Sequence, residues 1–451
     1  MREVSLQEVL DARDRRAQAQ RELLARYGRP VLSYTMNIPG PVKDSPLIRR
    51  AFDEGLRMLD SAGIVCLDRR VSRAVTGCEL LCAVDEDAES VKALCRRIED
   101  ESPLGRLFDM DVIGLDGQKL SRAEERRCLV CGAVGRGCAS RRLHCLDELT
   151  AAVNAILRKG LLEADASQLG ALATKALLDE VNTTPKPGLV DRNNSGSHAD
   201  MTRETFHASA QALRDYWPDC FRIGAETADK PPEAAFAALR ERGVKAEQKM
   251  LGATGDVNTH KGAIFTLGTV CGAIGRLWSA EDPCREPERI AAAAAELCST
   301  AMREDFEKLE QSGLARTAGE RLYLQYGLRG IRGELADGLP AVLDCALPAL
   351  ERGISDGLSR NDAGVYALLA LIARGSDTNM IRRGGRALAA ETASQLRALL
   401  QKEPRPSMER VRQLDDSFIR QNLSPGGCAD LLAVSFLLYD WKRRIPADRS
   451  R

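Results

Sequence analysis

The sequence predicts an α+β domain over residues 1–165 followed by a larger all-helical domain over 166–451. Three observations carry this reading. Short apolar runs bounded by turn formers crowd the first part of the chain and nearly vanish beyond about residue 145. Long stretches with helical spacing take their place, among them ELTAAVNAILRKGLL and RALAAETASQLRALLQKE. Aromatic residues make up only 4%, while Ala, Leu and Arg are plentiful, which favours helices.

Taken in order, MREVSLQEVLDARDRRAQAQ alternates charge like a solvated helix. PVLSYTMNI (30–38) is a strand that ends in the turn formers PGP. In DSPLIRRAFDEGLRMLDSAG (44–63), Ile48, Phe52, Leu56 and Leu59 share one helical face. IVCLDRRVSRAV (64–75) and CELLCAV (78–84) form two strands across a Thr-Gly turn. DAESVKALCRRIEDES is a helix and RLFDMDVIGL a last strand, so the order β-α-β-β-α-β suggests the ferredoxin-like split unit. The domain boundary is expected near GLLEADAS, and no fixed-period repeat suggests a solenoid. TADKPPEAAF (227–236) is expected as a surface loop, because paired prolines break helices.

Composition narrows the function. Lys plus Arg and Asp plus Glu each number 65, which disfavours a general nucleic-acid partner. The amino terminus has no apolar signal core, and no run reaches the ~20 apolar residues of a membrane span. GAIFTLGTVCGAIG (262–275) reads as a buried helix instead. Fourteen cysteines without a secretion signal imply free thiols or metal ligands in a reducing, cytoplasmic setting.

Five polar loops interrupt the helical part and share a vocabulary. They are TPKPGLVDRNNSGSHADM (184–201), GDVNTHKG (255–262), YGLRGIRGE (326–334), GSDTNMIRRGG (375–385) and NLSPGGCADLL (422–432). Each adjoins a predicted helix terminus, where free N–H groups and the dipole favour anions. Lys186, Lys261, Arg329, Arg332 and Arg382 add charges for phosphate oxygens. Neighbouring carboxylates suit metal ligation or general-base work. Any one loop has an ordinary reading too: Asp200 and Asp430 as helix N-caps, Asn258 as a turn residue. Neither a Walker A pattern nor G-x-G-x-x-G is present.

The first domain carries two further signals. In GRLFDMDV (105–112), strand alternation puts Asp109 and Asp111 on one face and Phe108, Met110 and Val112 on the other. Two such aspartates can share a magnesium, although a solvated strand edge is the commoner reading of D-x-D alone. In RRCLVCGAVGRGCASRRLHC (126–145), Cys128, Cys131, Cys138 and His144 form a zinc-compatible set, with Cys145 a rival ligand and free thiols the alternative. Arg126, Arg127, Arg136, Arg141 and Arg142 make this the most basic stretch, suited to a triphosphate or an acidic protein.

The helical motifs TPKPGLVDRNNSGSHADM, NTHKGAIF, YGLRGIRGE and NLSPGGCADLLA together resemble the triphosphoribosyl-dephospho-CoA synthase family over most of 166–451. Asp256 stands where that pattern leads one to expect a second glycine, and Cys428 where it leads one to expect serine. The resemblance implies attack by the ribose 2′-hydroxyl of dephospho-CoA on the anomeric carbon of ATP, with adenine leaving. It would give catalytic work to Asp191, His198, Asp200, His260 and Glu334, and substrate binding to Lys186, Asn258, Lys261 and Arg332. Asp191 and Asp200 would serve the metal or the oxocarbenium-like transition state, and His198 or His260 the proton.

Residues 30–148, through NIPGPVKDS, PLGRLFDMDV and RRCLVC, resemble the apo-citrate lyase phosphoribosyl-dephospho-CoA transferases. This implies transfer to a serine of the citrate lyase acyl carrier protein (gamma chain), with release of pyrophosphate. Asp109 and Asp111 would hold Mg2+, with Lys43, Arg106 and Arg127 near the phosphates. Three rivals stay open: a malonate decarboxylase carrier as target, a first domain that only docks the carrier, and a helical ADP-ribose hydrolase.

Overall fold

The computed structural model describes residues 2–121, 126–134, 138 and 141–444, and Arg136 lies outside them. The described residues divide into two compact units, one up to Asp165 and the other Ala166–Arg444.

In the first unit α1 (Leu6–Tyr27) is followed by β1 (Val31–Met36), α2 (Pro46–Ser61), β2 (Cys66–Ala74), β3 (Gly77–Val84), α3 (Ala88–Glu101) and β4 (Phe108–Ile113). The sheet order is β2-β3-β1-β4 and every neighbouring pair is antiparallel. This is the split β-α-β arrangement the element order predicts. Ser5 begins α1 in a capping box with Glu8, and Ser45 caps α2 ahead of Pro46. One sheet face carries Leu32, Tyr34, Leu80, Phe108 and Met110, all buried, with Phe52 of α2 stacked on Tyr34 at 4.7 Å. On the other face Val31, Leu81, Ala83 and Ile113 pack against Leu23 of α1. Cys66 and Cys82 form a disulfide between β2 and β3, so these two are not the free thiols expected of the chain. Pairing of the two strands brings their Cα atoms to 5.9 Å, within disulfide range.

α4 (Leu146–Asn182) runs through residue 165 as one helix. The second unit continues with α5 (Arg203–Ala212), α6 (Tyr216–Glu226), α7 (Pro232–Thr254), α8 (Lys261–Arg276), α9 (Pro287–Ser312), α10 (Ala318–Tyr326) and α11 (Gly330–Ala336). A π-helical turn, Val342–Ala346, leads into α12 (Leu347–Ser355), and α13 (Arg360–Ala373), α14 (Thr378–Lys402), α15 (Met408–Arg420) and α16 (Gly426–Lys442) complete it. The apolar run at 262–275 is the buried α8, as its composition predicts. Against expectation, α7 begins inside TADKPPEAAF. Pro232 occupies the first helical turn, where its missing N–H costs nothing, and Ala235 and Phe236 are buried. Thr202, not Asp200, caps α5 by accepting from Thr205 N–H.

Candidate active sites

The register of β4 settles the two aspartates of the first unit. Asp109 and Asp111 lie opposite Thr35 and Ser33, on the sheet face that α1 covers only in part, while Phe108 and Met110 enter the core. Both carboxylates line a cavity of about 1010 Å³, together with Arg106, Arg127, Cys128, Cys138 and His144. Asp111 pairs with the exposed Lys119 at 2.5 Å. Lys43 is not brought there. Its ammonium donates to the Ile38 carbonyl, and burial lowers its pKa.

Two residues that sequence reasoning missed position this strand. Among the described residues β4 is a sheet edge, so alternate backbone groups have no strand partner there. Buried Glu99 accepts from Met110 N–H at 2.9 Å, and buried Lys92 donates to Met110 carbonyl at 2.9 Å. Arg126 bridges Glu99 and the Phe108 carbonyl. The residue between the two aspartates is thus held on both its polar groups by α3. A signal existed in the sequence: Lys92 and Glu99 are seven apart, on one face of a helix that is otherwise apolar there.

The ligand atoms of Cys128, Cys131, Cys138 and His144 all lie within 4.8 Å of one another. Cys131 and Cys138 sulfurs are 3.4 Å apart, and His144 Nε2 is 3.4 Å from Cys131. Tetrahedral zinc with ~2.3 Å bonds separates sulfurs by roughly 3.8 Å, so the set fits that ion. Backbone N–H groups of Cys131 and Val130 pull the Cys128 thiol down to about 6, toward the thiolate a metal requires. Cys145 stands outside the set, its backbone N–H donating to Glu148.

In the helical unit, all five loops reach one cavity of about 490 Å³. Lys186 and His198 come from the first loop, Asn258, His260 and Lys261 from the second, and Ile331 from the third. Thr378 and Arg382 come from the fourth, Gly426, Gly427 and Asp430 from the fifth. The starts of α8, α14 and α16 therefore converge on it, which concentrates N–H groups and positive dipole ends in one place. Arg382 lies exposed at its margin and Lys261 pairs with Glu247.

The cavity's carboxylates are not the expected ones. Asp191 is buried with its oxygens occupied by Thr184 Oγ1 and the N–H groups of Lys186, Asn193 and Asn194, so it folds the loop rather than facing the cavity. Asp200 is exposed and Arg332 partly so, and neither lines the cavity. Glu334 lines an adjoining cavity of about 270 Å³, where burial raises its pKa; the two cavities share Ile331, Thr378 and Gly427. In place of the two aspartates, Glu180 and Asp430 face the 490 Å³ cavity. Glu180 forms a buried ion pair with Lys186, and burial still pushes its carboxyl upward. Asp430 is held well above the usual carboxylate range by burial, then by Glu180 and Asp377. A Cβ at Gly262 would fall 1.9 Å from Asp430 Oδ2, so a glycine is required where α16 meets the start of α8. Glu180 was hidden inside a long helix, and Asp430 reads as a cap until Gly262 reveals the close approach.

His198 Nδ1 lies 3.2 Å from Arg383 Nη2, and Nε2 lies 2.8 Å from Ser424 Oγ. Arginine only donates, so Nδ1 accepts and Nε2–H is given to Ser424. Burial, then Arg383, lowers its pKa and keeps the ring neutral.

Comparison with known proteins gives each part of the chain a class, that of transferases handling nucleotide-derived groups. Residues 4–160 match the family model of apo-citrate lyase phosphoribosyl-dephospho-CoA transferase, and residues 166–448 that of ATP:dephospho-CoA triphosphoribosyl transferase. Two relatives named "Protein CitXG" match almost end to end. That of Haemophilus influenzae is 33% identical over 97% of both chains. That of Leuconostoc mesenteroides is 31% identical, over 96% of this chain and 97% of its own. A Vibrio cholerae protein named "Probable 2-(5''-triphosphoribosyl)-3'-dephosphocoenzyme-A synthase" is 41% identical over 60% of this chain and 87% of its own. The chain belongs to this family of fusions and is a bifunctional transferase of citrate lyase prosthetic-group biosynthesis. Dephospho-CoA and ATP are its substrates, and an acyl carrier protein is the acceptor its first family implies. No helix among the described residues is long and apolar enough to cross a membrane.

Proposed function

We propose that the helical unit joins ATP to dephospho-CoA within its two adjoining cavities, and that the first unit passes the product to a serine of the citrate lyase acyl carrier protein, the gamma chain. The observation that carries this is the meeting of five separated loops at one cavity rich in helix starts and cations. Lys186, Asn258, Lys261 and Arg382 hold the triphosphate. The 2′-hydroxyl of dephospho-CoA attacks the anomeric carbon while its bond to adenine breaks. Glu180 offsets the oxocarbenium charge and Asp430 relays the hydroxyl proton toward the departing base. Asp191 and Asp200 act from outside, Asp191 by shaping the loop. Glu334, with Arg332 near it in sequence, serves the second nucleotide.

In the first unit Asp109 and Asp111 are the residues that would hold Mg2+, which would supply charge neutralisation at the pyrophosphate leaving group. Arg106 and Arg127 bind phosphates, and the serine hydroxyl of the carrier attacks phosphorus as pyrophosphate departs. Cys128, Cys131, Cys138 and His144 would hold a structural Zn2+ that fixes this wall. Use of ATP and dephospho-CoA supports work in the cytoplasm.

The test is incubation with ATP, dephospho-CoA, Mg2+ and apo-carrier. Adenine and pyrophosphate should both be released and the carrier should gain the prosthetic group's mass. Asp109→Asn should cut pyrophosphate release by about 10²–10³-fold, the scale of a lost transition-state contact, and leave adenine release intact. Full-rate carrier modification by that variant would refute the metal role.

A further inference from the structure

His260 is the most buried histidine of the cavity wall, 3% exposed, and it begins α8. Its Nδ1 lies 2.6 Å from Ser209 Oγ on α5. Its Nε2 is buried and has no hydrogen-bond partner among the described residues. An orphaned buried ring nitrogen beside a cavity is expensive unless a ligand meets it.

The hydroxyls behind the ring fix its tautomer. Thr259 Oγ1 donates to Ser209 Oγ at 2.8 Å, which spends the threonine hydrogen. Ser209 is fully buried and accepts from Thr259, so among the described residues the acceptor left for its own hydrogen is His260 Nδ1. Nδ1 therefore accepts, and in a neutral ring the remaining hydrogen sits on Nε2. Burial and the neighbouring Lys186 push the His260 pKa down to about 3, so the ring stays neutral. A neutral imidazole that already carries hydrogen on Nε2 is no base there. With Nδ1 tied to α5, the only polar group it offers a ligand is this N–H.

The surroundings select the acceptor. The Phe206 ring meets His260 edge-on at 5.0 Å, and Leu189, Val190, Met201 and Leu322 line the same cavity. Phosphate has its own cations in Lys261 and Arg382. A neutral ring donor beside an aromatic ring, in a cavity with apolar side chains in its lining, suits a flat heteroaromatic ring with a lone-pair nitrogen.

We infer that His260 is a base-recognition residue, donating Nε2–H to a ring nitrogen of an adenine seated against Phe206. Thr259 and Ser209 act through it as positioning residues. The role rests on the helical unit's use of two adenine nucleotides, ATP and dephospho-CoA, either of which carries that ring.

The test is a cycle between protein and ligand on the full chain. Binding of ATP is compared with that of analogues in which N1, N3 or N7 is replaced by CH, for the wild type and for His260→Ala. One analogue should bind the wild type about tenfold more weakly than ATP, and the variant should not distinguish the two. Repeating the series with dephospho-CoA analogues tells which nucleotide supplies the base. Equal losses in both proteins for every analogue in both series would overturn the inference. Nitrogen NMR of the wild type is independent of how the variant folds. His260 should show a protonated Nε2 and a bare Nδ1, and the reverse tautomer would also overturn it. Adenine release by the wild type is scored separately, so a failure of the catalytic reading is distinguishable from a failure of this one.

Discussion

The two cavities are built on opposite principles. The first is laid on one face of an edge strand: Asp109 and Asp111 project from regular backbone, and Lys119 answers Asp111 from the surface. The second is assembled where helices begin, from loops far apart in sequence, and it includes buried titratable groups: Glu180, Lys186 and His260 are each less than 5% exposed. A strand can present carboxylates to water at little cost. A site among helix starts must balance each buried charge and keep each buried histidine neutral.

Acid should separate the two most sharply. His260 titrates near 6.5 when unfolded and at about 3 when folded. Between those values the unfolded chain binds the extra proton, so its contribution is present above 6.5 and lost as pH falls toward 3. The full swing is roughly 5 kcal/mol. Glu180 and Asp430, raised by burial, work the other way, gaining stability as pH falls. The wild-type curve alone is therefore ambiguous. Denaturant titrations of wild type and His260→Gln from pH 7 to pH 4 should converge on acidification, and parallel curves would show that His260 is not buried neutral.

Truncating one carboxylate in each site sharpens the contrast. Glu180→Ala leaves Lys186 charged in the interior and should cost about 3–4 kcal/mol. Asp111→Ala frees an exposed lysine and should cost under about 1 kcal/mol, whatever it does to carrier modification. Similar losses from the two would mean that the burial contrast does not govern the sites' stability.

Glu99→Gln probes whether even the strand site leans on buried charge. It weakens a charged acceptor shared by Met110 N–H and Arg126, so about 1.5–2 kcal/mol is expected. Hydrogen exchange at the Met110 amide should quicken more than at Tyr34, its partner across the ladder. Uniform quickening of both would reduce Glu99 to a general stabiliser.

The same contrast explains what the residues disclosed before any coordinates. Alternation at period two placed Phe108, Met110 and the two aspartates on their proper faces, because side-chain direction on a strand is a local property. Membership in the loop cavity is not local. Asp191 and Asp200 look catalytic from their neighbours, but Asp191 closes its own loop and neither lines the cavity. Glu180 and Asp430 looked ordinary because their roles depend on Lys186 and on the start of α8, contacts no window of sequence contains. Lys43 and Arg332 belong to motifs that fit phosphate binding, but a motif does not say where a flexible side chain points. The disulfide likewise depended on strand pairing that cysteine spacing does not encode.

The smallest expected effect concerns Asp256, the one motif position that departs from the glycine its family resemblance suggests. Its φ is +65°, next to Gly255 at +64°, so two consecutive residues take the left-handed conformation before α8. Aspartate tolerates that region better than most residues but still carries a Cβ there, which glycine does not. Its backbone N–H donates to the Leu251 carbonyl at 2.9 Å, a bond glycine keeps. Asp256→Gly relieves the Cβ strain and adds freedom to the unfolded chain, two opposed terms that should leave a gain of about 0.5 kcal/mol. Adenine release should not change, because the position shapes backbone and contributes no group to the cavity. A variant that folded as well yet released adenine tenfold more slowly would move the Asp256 carboxylate from the turn into the chemistry.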